Sequence, residues 1–401
     1  MSISIPLPSP SRKHPRYRGH PALALGFRPF YLLAAAFGAL AIAAWVLMYL
    51  GWWQPAAQPW TGAMVWHAHE MVFGFAAAVV VGFLFTAGKA WTGQQTPQGI
   101  WLGALAGLWV LARVLMWGGP AWLAVVVDSA FLPACALSFF IVLRRASNQR
   151  NYGLAIALGV MGALNVAFHA AVLTGDIGIA LRLTEAATGI VAIFVTVIGG
   201  RVIPMFTANA LPGVTIRRHA SVERAVVVLT LLAIAAHSAH APVWLTLPLA
   251  SGAALAHGIR LAGWAPLRTL RKPIVAMLHV AYAFLALGFA LIAGAAAGWL
   301  DGSTALHALT VGAIACAILA MITRTALGHT GRPLETGRME HVAYACIALA
   351  ALVRVVVPIA LPALKAYAIG GAGLLWVAAF VLYLVRYTPW LLRPRADGKD
   401  G

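Results

Sequence analysis

The residues with most chemistry to offer are histidines set beside carboxylates in apolar sequence. The clearest set is Trp66-His67-Ala68-His69-Glu70-Met71. Neutral imidazole binds iron, copper and zinc, and it titrates near neutral pH. Two imidazoles in one short run therefore suit a metal site or a proton relay. On a helix, residues two apart point about 200° from each other. His67 and His69 are expected to serve two neighbouring sites on opposite faces. His67 should share its face with Glu70 and Met71, and His69 with Trp66 and Phe73. A lone buried histidine is more often a packed core residue than a ligand. Two in one helix start favour a ligand role.

Further candidates lie along the chain. His169 follows Asn165 by one helical turn, so Asn165 can orient a ligand there. His307 begins a stripe through Thr310, Ile314, Met321 and Thr325, most of it ordinary packing. His279 stands apart from these and could join Arg324, His329 or Arg201 in an inner site. Glu70, Asp128 and Glu185 are carboxylates within apolar runs, matched by Arg113, Arg182 and Arg354. Arg182 and Glu185, three residues apart, are expected to pair on one helix. The other histidines, His14, His20, His219, His237, His240, His257 and His341, fall in tails, loops or helix ends, where solvated or interfacial positions are expected.

Composition defines the elements that must carry these groups. The chain has 401 residues, 62% hydrophobic and only 9% charged. So few charges cannot cover a soluble fold of this size. The expected class is all-α: a polytopic membrane protein, a bundle of about 12 transmembrane helices. The segments are 27–50, 63–87, 98–117, 120–144, 152–174, 178–199, 223–241, 243–262, 273–298, 303–326, 339–361 and 363–388. The reading gives an N-terminal tail 1–26, one transmembrane domain 27–388 and a C-terminal tail 389–401. Residues 200–222 form the longest internal connection, and it overlaps the Gly/Pro-interrupted stretch GGRVIPMFTANALPG (199–213). No cleavable signal peptide is expected, because residues 1–26 lack an apolar core.

Charge supports the count. There are 28 Lys+Arg against 10 Asp+Glu, formally +18. Such excess base in a soluble chain would suggest nucleic acid. Here, with alternating spans, all but Arg113, Arg182, Arg354 and Lys365 fall on one side of the membrane. That asymmetry places both termini in the cytoplasm and excludes a nucleic-acid reading. It also puts ionisable groups of seven helices in one layer, roughly 5–12 Å below the outer surface. The three cysteines, Cys135, Cys316 and Cys346, lie in apolar runs as small hydrophobes. No Cys-x-x-Cys-His is present, so covalent c-type haem attachment is excluded.

These segments resemble a known family. HPALALGFRPFYLLAA (20–35), WHAHEMVFGFAAAVVVGFLFTAGKAWTG (66–93), GGRVIPMFTANAL (199–211) and ALHALTVGAIACAILAMITRTALGHTGR (305–332) are similar to those of the NnrS family, over about residues 20–390. The resemblance implies a twelve-helix, multi-pass protein of the bacterial inner (cytoplasmic) membrane, containing non-covalent haem b and copper. It also implies protection against nitrosative stress, often alongside denitrification, with nitric oxide or nitrosyl species and a membrane electron donor as partners. The motif segments contain His20, His67, His69, His307 and His329. The first ligand candidates for haem and copper are His67, His69 and His307, then His169 and His279. Glu70 is the candidate proton relay. Arg201, Asn209 and Arg324 are candidates for holding haem propionates, with His329 nearby. The chain lacks the adjacent His-His pair and late His-x-His of haem-copper oxidases, so likeness to those enzymes is architectural only. The residues alone leave three readings open: a redox enzyme acting on nitric oxide, a transporter of a metal or nitrosyl species, and a non-catalytic sensor or scavenger.

Overall fold

The computed structural model describes residues 17–399. Arg12, Lys13, His14 and Arg16 of the expected tail lie outside the described residues. The described chain is all-helical, without a strand. Twelve long helices follow one another: α1 Phe27–Tyr49, α2 Ala63–Thr92, α3 Gly99–Gly118, α4 Ala121–Arg145, α5 Tyr152–Leu173, α6 Ile177–Ala210, α7 Ala220–Ser238, α8 Val243–Ala262, α9 Pro273–Ala296, α10 Gly302–His329, α11 Arg338–Ala360 and α12 Lys365–Leu391. Eleven are long and apolar enough to cross a membrane. The exception is α8, which carries His257 and Arg260 in a 20-residue helix.

Local sequence sets the ends. Gly93 closes α2 in the left-handed region (φ 64°), donating its N–H to the Lys89 carbonyl. Asp176 and Asp301 cap α6 and α10, each accepting a backbone N–H of the first turn. Partial burial works against the Asp301 charge. Hydrogen bonds from Thr304 and the nearby Lys365 ammonium outweigh it and hold the carboxyl below its usual range.

The bundle has an inside and an outside. The apolar window of α2 is 78% buried and that of α10 67%, against 28% for α7. The two candidate-bearing helices are thus interior. Both also leave α-helical geometry just after their histidines. α2 is π-helical over Glu70–Ala76, and α10 over Ala308–Ala315. Such insertions occur preferentially at functional sites and redirect the side chains that follow.

The expected loop 200–222 is corrected. α6 does not stop at residue 199 but runs through Gly199, Gly200 and Pro204 to Ala210. A proline normally costs a helix its i−4 bond, yet tertiary packing carries α6 onward. The Arg260 guanidinium lies so close to Gly200 that a Cβ there would sit 2.0 Å from Nη2. Within the glycine pair that reads as a break, Gly200 makes room for Arg260.

At one end of the bundle the α1 start, the α10 end and the C-terminal segment meet. Arg28 Nη1 donates to the carbonyls of Leu391 and Arg393, and Arg395 to that of His329. This end, rich in arginine, is called the basic face below.

Candidate functional site

Two polar constructions flank α2. His67 and His69 are divided between them, as helical geometry requires.

The first is a central cavity of about 610 Å³. His67, Met71 and Phe75 of α2 line it, as do His307, Thr310 and Ile314 of α10. Trp45 and Trp376 add aromatic wall. The His67 ring stacks on Trp45 at 4.0 Å between centroids. The expectation that Glu70 shares this face fails. The π-helical stretch that begins at Glu70 turns its carboxylate to the other side of α2.

His307 is held in one orientation. Its Nδ1 lies 2.6 Å from the Ser303 carbonyl and 3.2 Å from Arg354 Nη2. A ring N–H that donates cannot also accept. The shorter bond decides, so Nδ1–H donates to Ser303 and Arg354 donates to the Ser303 hydroxyl (3.2 Å). Nε2 is then the bare lone pair, the form in which imidazole binds a metal. Arg354 lines the same cavity, and its Nη1 is buried without a partner among the described residues.

Glu185 also reaches the cavity, but not as expected. Arg182 is exposed, and Glu185 instead faces His240 at 3.5 Å. His237 and His240 line the cavity too, although a loop-end reading placed them in solvent. A second chamber of about 90 Å³ adjoins the first, sharing Val191 and Ile314. Its wall is apolar except for Tyr31 and Tyr282.

The second construction is solid and fully buried. Arg113 bridges two carboxylates, Glu70 (2.7 Å) and Asp128. Asn165 Nδ2 donates to Asp128 Oδ2 (2.7 Å), which fixes the amide. His169 Nε2 meets the same Oδ2 at 2.8 Å. His69 places Nδ1 2.9 Å from Glu70 and Nε2 2.8 Å from the Asn165 carbonyl oxygen and 3.2 Å from Asp128. Both His69 nitrogens thus face oxygen acceptors. Either both carry protons or a cation takes the place of one. Donor atoms of His69, Asp128 and His169 lie within 4.8 Å of one another, close enough to hold a metal ion.

The remaining sequence candidates lie elsewhere, and none lines the central cavity. His279 donates from Nε2 to Thr207 (2.9 Å), whose own hydroxyl donates to Ile203, and its Nδ1 is buried without a partner among the described residues. Arg201 donates to Asn151, Asn209 is exposed, Arg324 lies 3.7 Å over the Phe206 ring, and His329 packs on Phe27.

One buried network escaped the sequence reading. His257 is not interfacial but 0% exposed. Arg260 donates to the Tyr282 hydroxyl (2.9 Å), which can then donate to His257 Nδ1 (2.8 Å). His257 Nε2 lies 2.8 Å from Thr230, and Arg260 pairs with Glu223. The signal was present: His257 and Arg260 stand one turn apart in the least apolar segment, where polar groups must face inward.

Comparison with curated proteins returns no match. The family described as NnrS protein matches residues 21–395. That match spans nearly the whole described chain, both histidine helices included, and the protein belongs to the NnrS family.

Proposed function

We propose that the protein binds haem and copper in the membrane and uses them to bind or detoxify nitric oxide or its metal adducts. The observation that carries this reading is the central cavity, where His67 and His307 share one largely apolar space with Arg354, whose Nη1 has no partner among the described residues. At about 610 Å³ it falls within the roughly 300–1,000 Å³ range of cofactor sites. The imidazoles, the largely apolar walls and the Arg354 guanidinium would suit a b-type haem, with His67 and His307 holding the iron and Arg354 a propionate, while His237, His240 and Glu185 complete the polar lining. Arg354 takes the propionate role first assigned to Arg201, Asn209 and Arg324. His69, Asp128 and His169 fit copper, an ion that imidazole and carboxylate donors suit.

Bound haem would supply an iron that takes up nitric oxide, and copper a second redox ion. The chain's own groups orient: the Ser303 carbonyl fixes the His307 ring, and Trp45 stacks on the His67 ring. Nitric oxide, small and apolar, enters through lipid. The setting we propose is a bacterial inner membrane, with residues 27–388 as one domain between cytoplasmic tails and a membrane electron donor.

Absorption spectroscopy and metal analysis of protein purified after haem- and copper-sufficient expression test the assignment. His67→Ala and His307→Ala should lose most haem and keep copper. His69→Ala and His169→Ala should do the reverse. Wild-type protein without a Soret band would end the haem reading, and copper retained by both latter variants would end the copper assignment.

A further inference from the structure

The second chamber takes no part in holding haem or copper. It offers about 90 Å³ between α2, α6, α9 and α10. Val80, Phe83, Val195 and Ile318 are among its walls, together with two alanines, Ala281 and Ala317. The space exists because α9 and α10 present alanine where leucine would fill it. A cavity lowers stability in proportion to its volume, so packing alone gives no reason to leave it open.

Its chemistry is narrow. Among the described residues, the only hydroxyls on its wall are those of Tyr31 and Tyr282. The Tyr282 hydroxyl is engaged by Arg260 and His257. At most one hydroxyl is left, whereas a buried water needs two to four polar partners. The same poverty works against any ligand that is charged or must hydrogen-bond. What remains is a small apolar molecule. An engineered cavity of about 150 Å³ with aliphatic and aromatic walls stays dry and takes benzene or xenon. At about 90 Å³ the chamber suits a diatomic gas rather than a ring, and a lipid acyl chain is far longer than the space.

Position gives the chamber its use. Val191 and Ile314 line both it and the central cavity. They are 2% and 5% exposed and stand between the two spaces. Ile314 lies in the π-helical stretch of α10 that follows His307, where regular α-helical bonding is interrupted. Rotation of one aliphatic side chain is enough to pass a diatomic molecule.

We propose that the second chamber is a binding site for a small apolar gas, which is held there and passes between Val191 and Ile314 into the central cavity. No bond forms or breaks in that step. The proposal rests on the haem reading only for the name of the gas, which is then nitric oxide.

Xenon is the probe for the site, and it needs no haem. Crystals of the full-length protein pressurised with xenon should show an anomalous peak between Val195, Ala281 and Ala317. Ala281→Leu and Ala317→Leu should each abolish it, and Ala104→Leu, on the exposed side of α3, should not. Ordered water or an acyl chain in the wild-type chamber, or xenon bound only elsewhere, would overturn the proposal. Passage is read from nitric oxide rebinding after flash photolysis of the haem-loaded protein. Ala317→Leu should slow bimolecular rebinding at least fivefold with an unchanged haem spectrum, and Ala104→Leu should not. Ala317→Val, which adds less bulk, should give an intermediate rate and covers a fold that rejects leucine. Wild-type rates in the filled variants would mean that the gas reaches the cavity by another way, and the proposal falls. Xenon in the chamber of protein that binds no haem would overturn the functional reading and uphold the gas site. A Soret band without xenon in the chamber would do the reverse.

Discussion

At the scale of the residue, the buried Arg113 shows how membrane interiors hold charge. Glu70, Asp128 and Arg113 are each at least nine-tenths buried, and the arginine touches both carboxylates. Removing one member of such a set leaves the others uncompensated, at about 3–5 kcal/mol. Arg113→Leu should therefore lower the thermal unfolding midpoint of detergent-solubilised protein markedly. Adding Glu70→Gln and Asp128→Asn should recover much of the loss, because neutral amides no longer need the cation. A triple variant no more stable than the single one would mean that charge compensation is not what Arg113 supplies. The sequence made half of this visible. The division of His67 from His69 follows from helical angles alone, and the two residues do face different constructions. The partners of Glu70 and Glu185 do not follow. Glu70 sits where the helix becomes π-helical, and Glu185 meets a histidine from α7–α8 rather than its own helix neighbour. Angle arguments assume a regular helix and say nothing of what another helix brings.

At the scale of the element, hydropathy located all twelve helices within a few residues, except at the end of α6. That end was illegible because its determinant is tertiary. Gly199 and Gly200 read as a break in one dimension, whereas in three Gly200 admits Arg260 of α8, which donates to the Thr196 carbonyl (2.8 Å). A methyl group at Gly200 would land 2.0 Å from Arg260 Nη2. Gly200→Ala must push the guanidinium aside and disturb its bonds to Tyr282 and Glu223. Overpacking of this kind costs about 1–3 kcal/mol. Gly153→Ala, where a Cβ meets open space, is the control and should cost nothing or stabilise slightly. If the two variants unfold at the same temperature, Arg260 is free to move and the close packing is not stabilising. The same device recurs in α2 and α10: a histidine near the helix start, a π-helical stretch, then a regular helix closed by Thr-Gly.

At the scale of the whole molecule, the arrangement of charge makes a claim about direction. The arginines at the α4 end, the α6–α7 connection and the C-terminal segment lie on one face, and the histidine-bearing starts of α2 and α10 lie toward the other. Basic residues are retained on the cytoplasmic side during insertion, so the cavity should sit nearer the outer surface. Gln54, in the α1–α2 connection, and Gln149, in the α4–α5 connection, are both exposed and lie on opposite faces by the alternation of helices. Cysteine at each position can be probed in intact cells with a membrane-impermeant maleimide. The native Cys135 and Cys316 are buried and Cys346 is partly covered within α11, so background labelling should be low. Gln54→Cys should label in intact cells, and Gln149→Cys only after the membrane is permeabilised. The opposite pattern would invert the molecule. It would place the basic face on the outside and show that the base asymmetry is not what sets this chain's orientation.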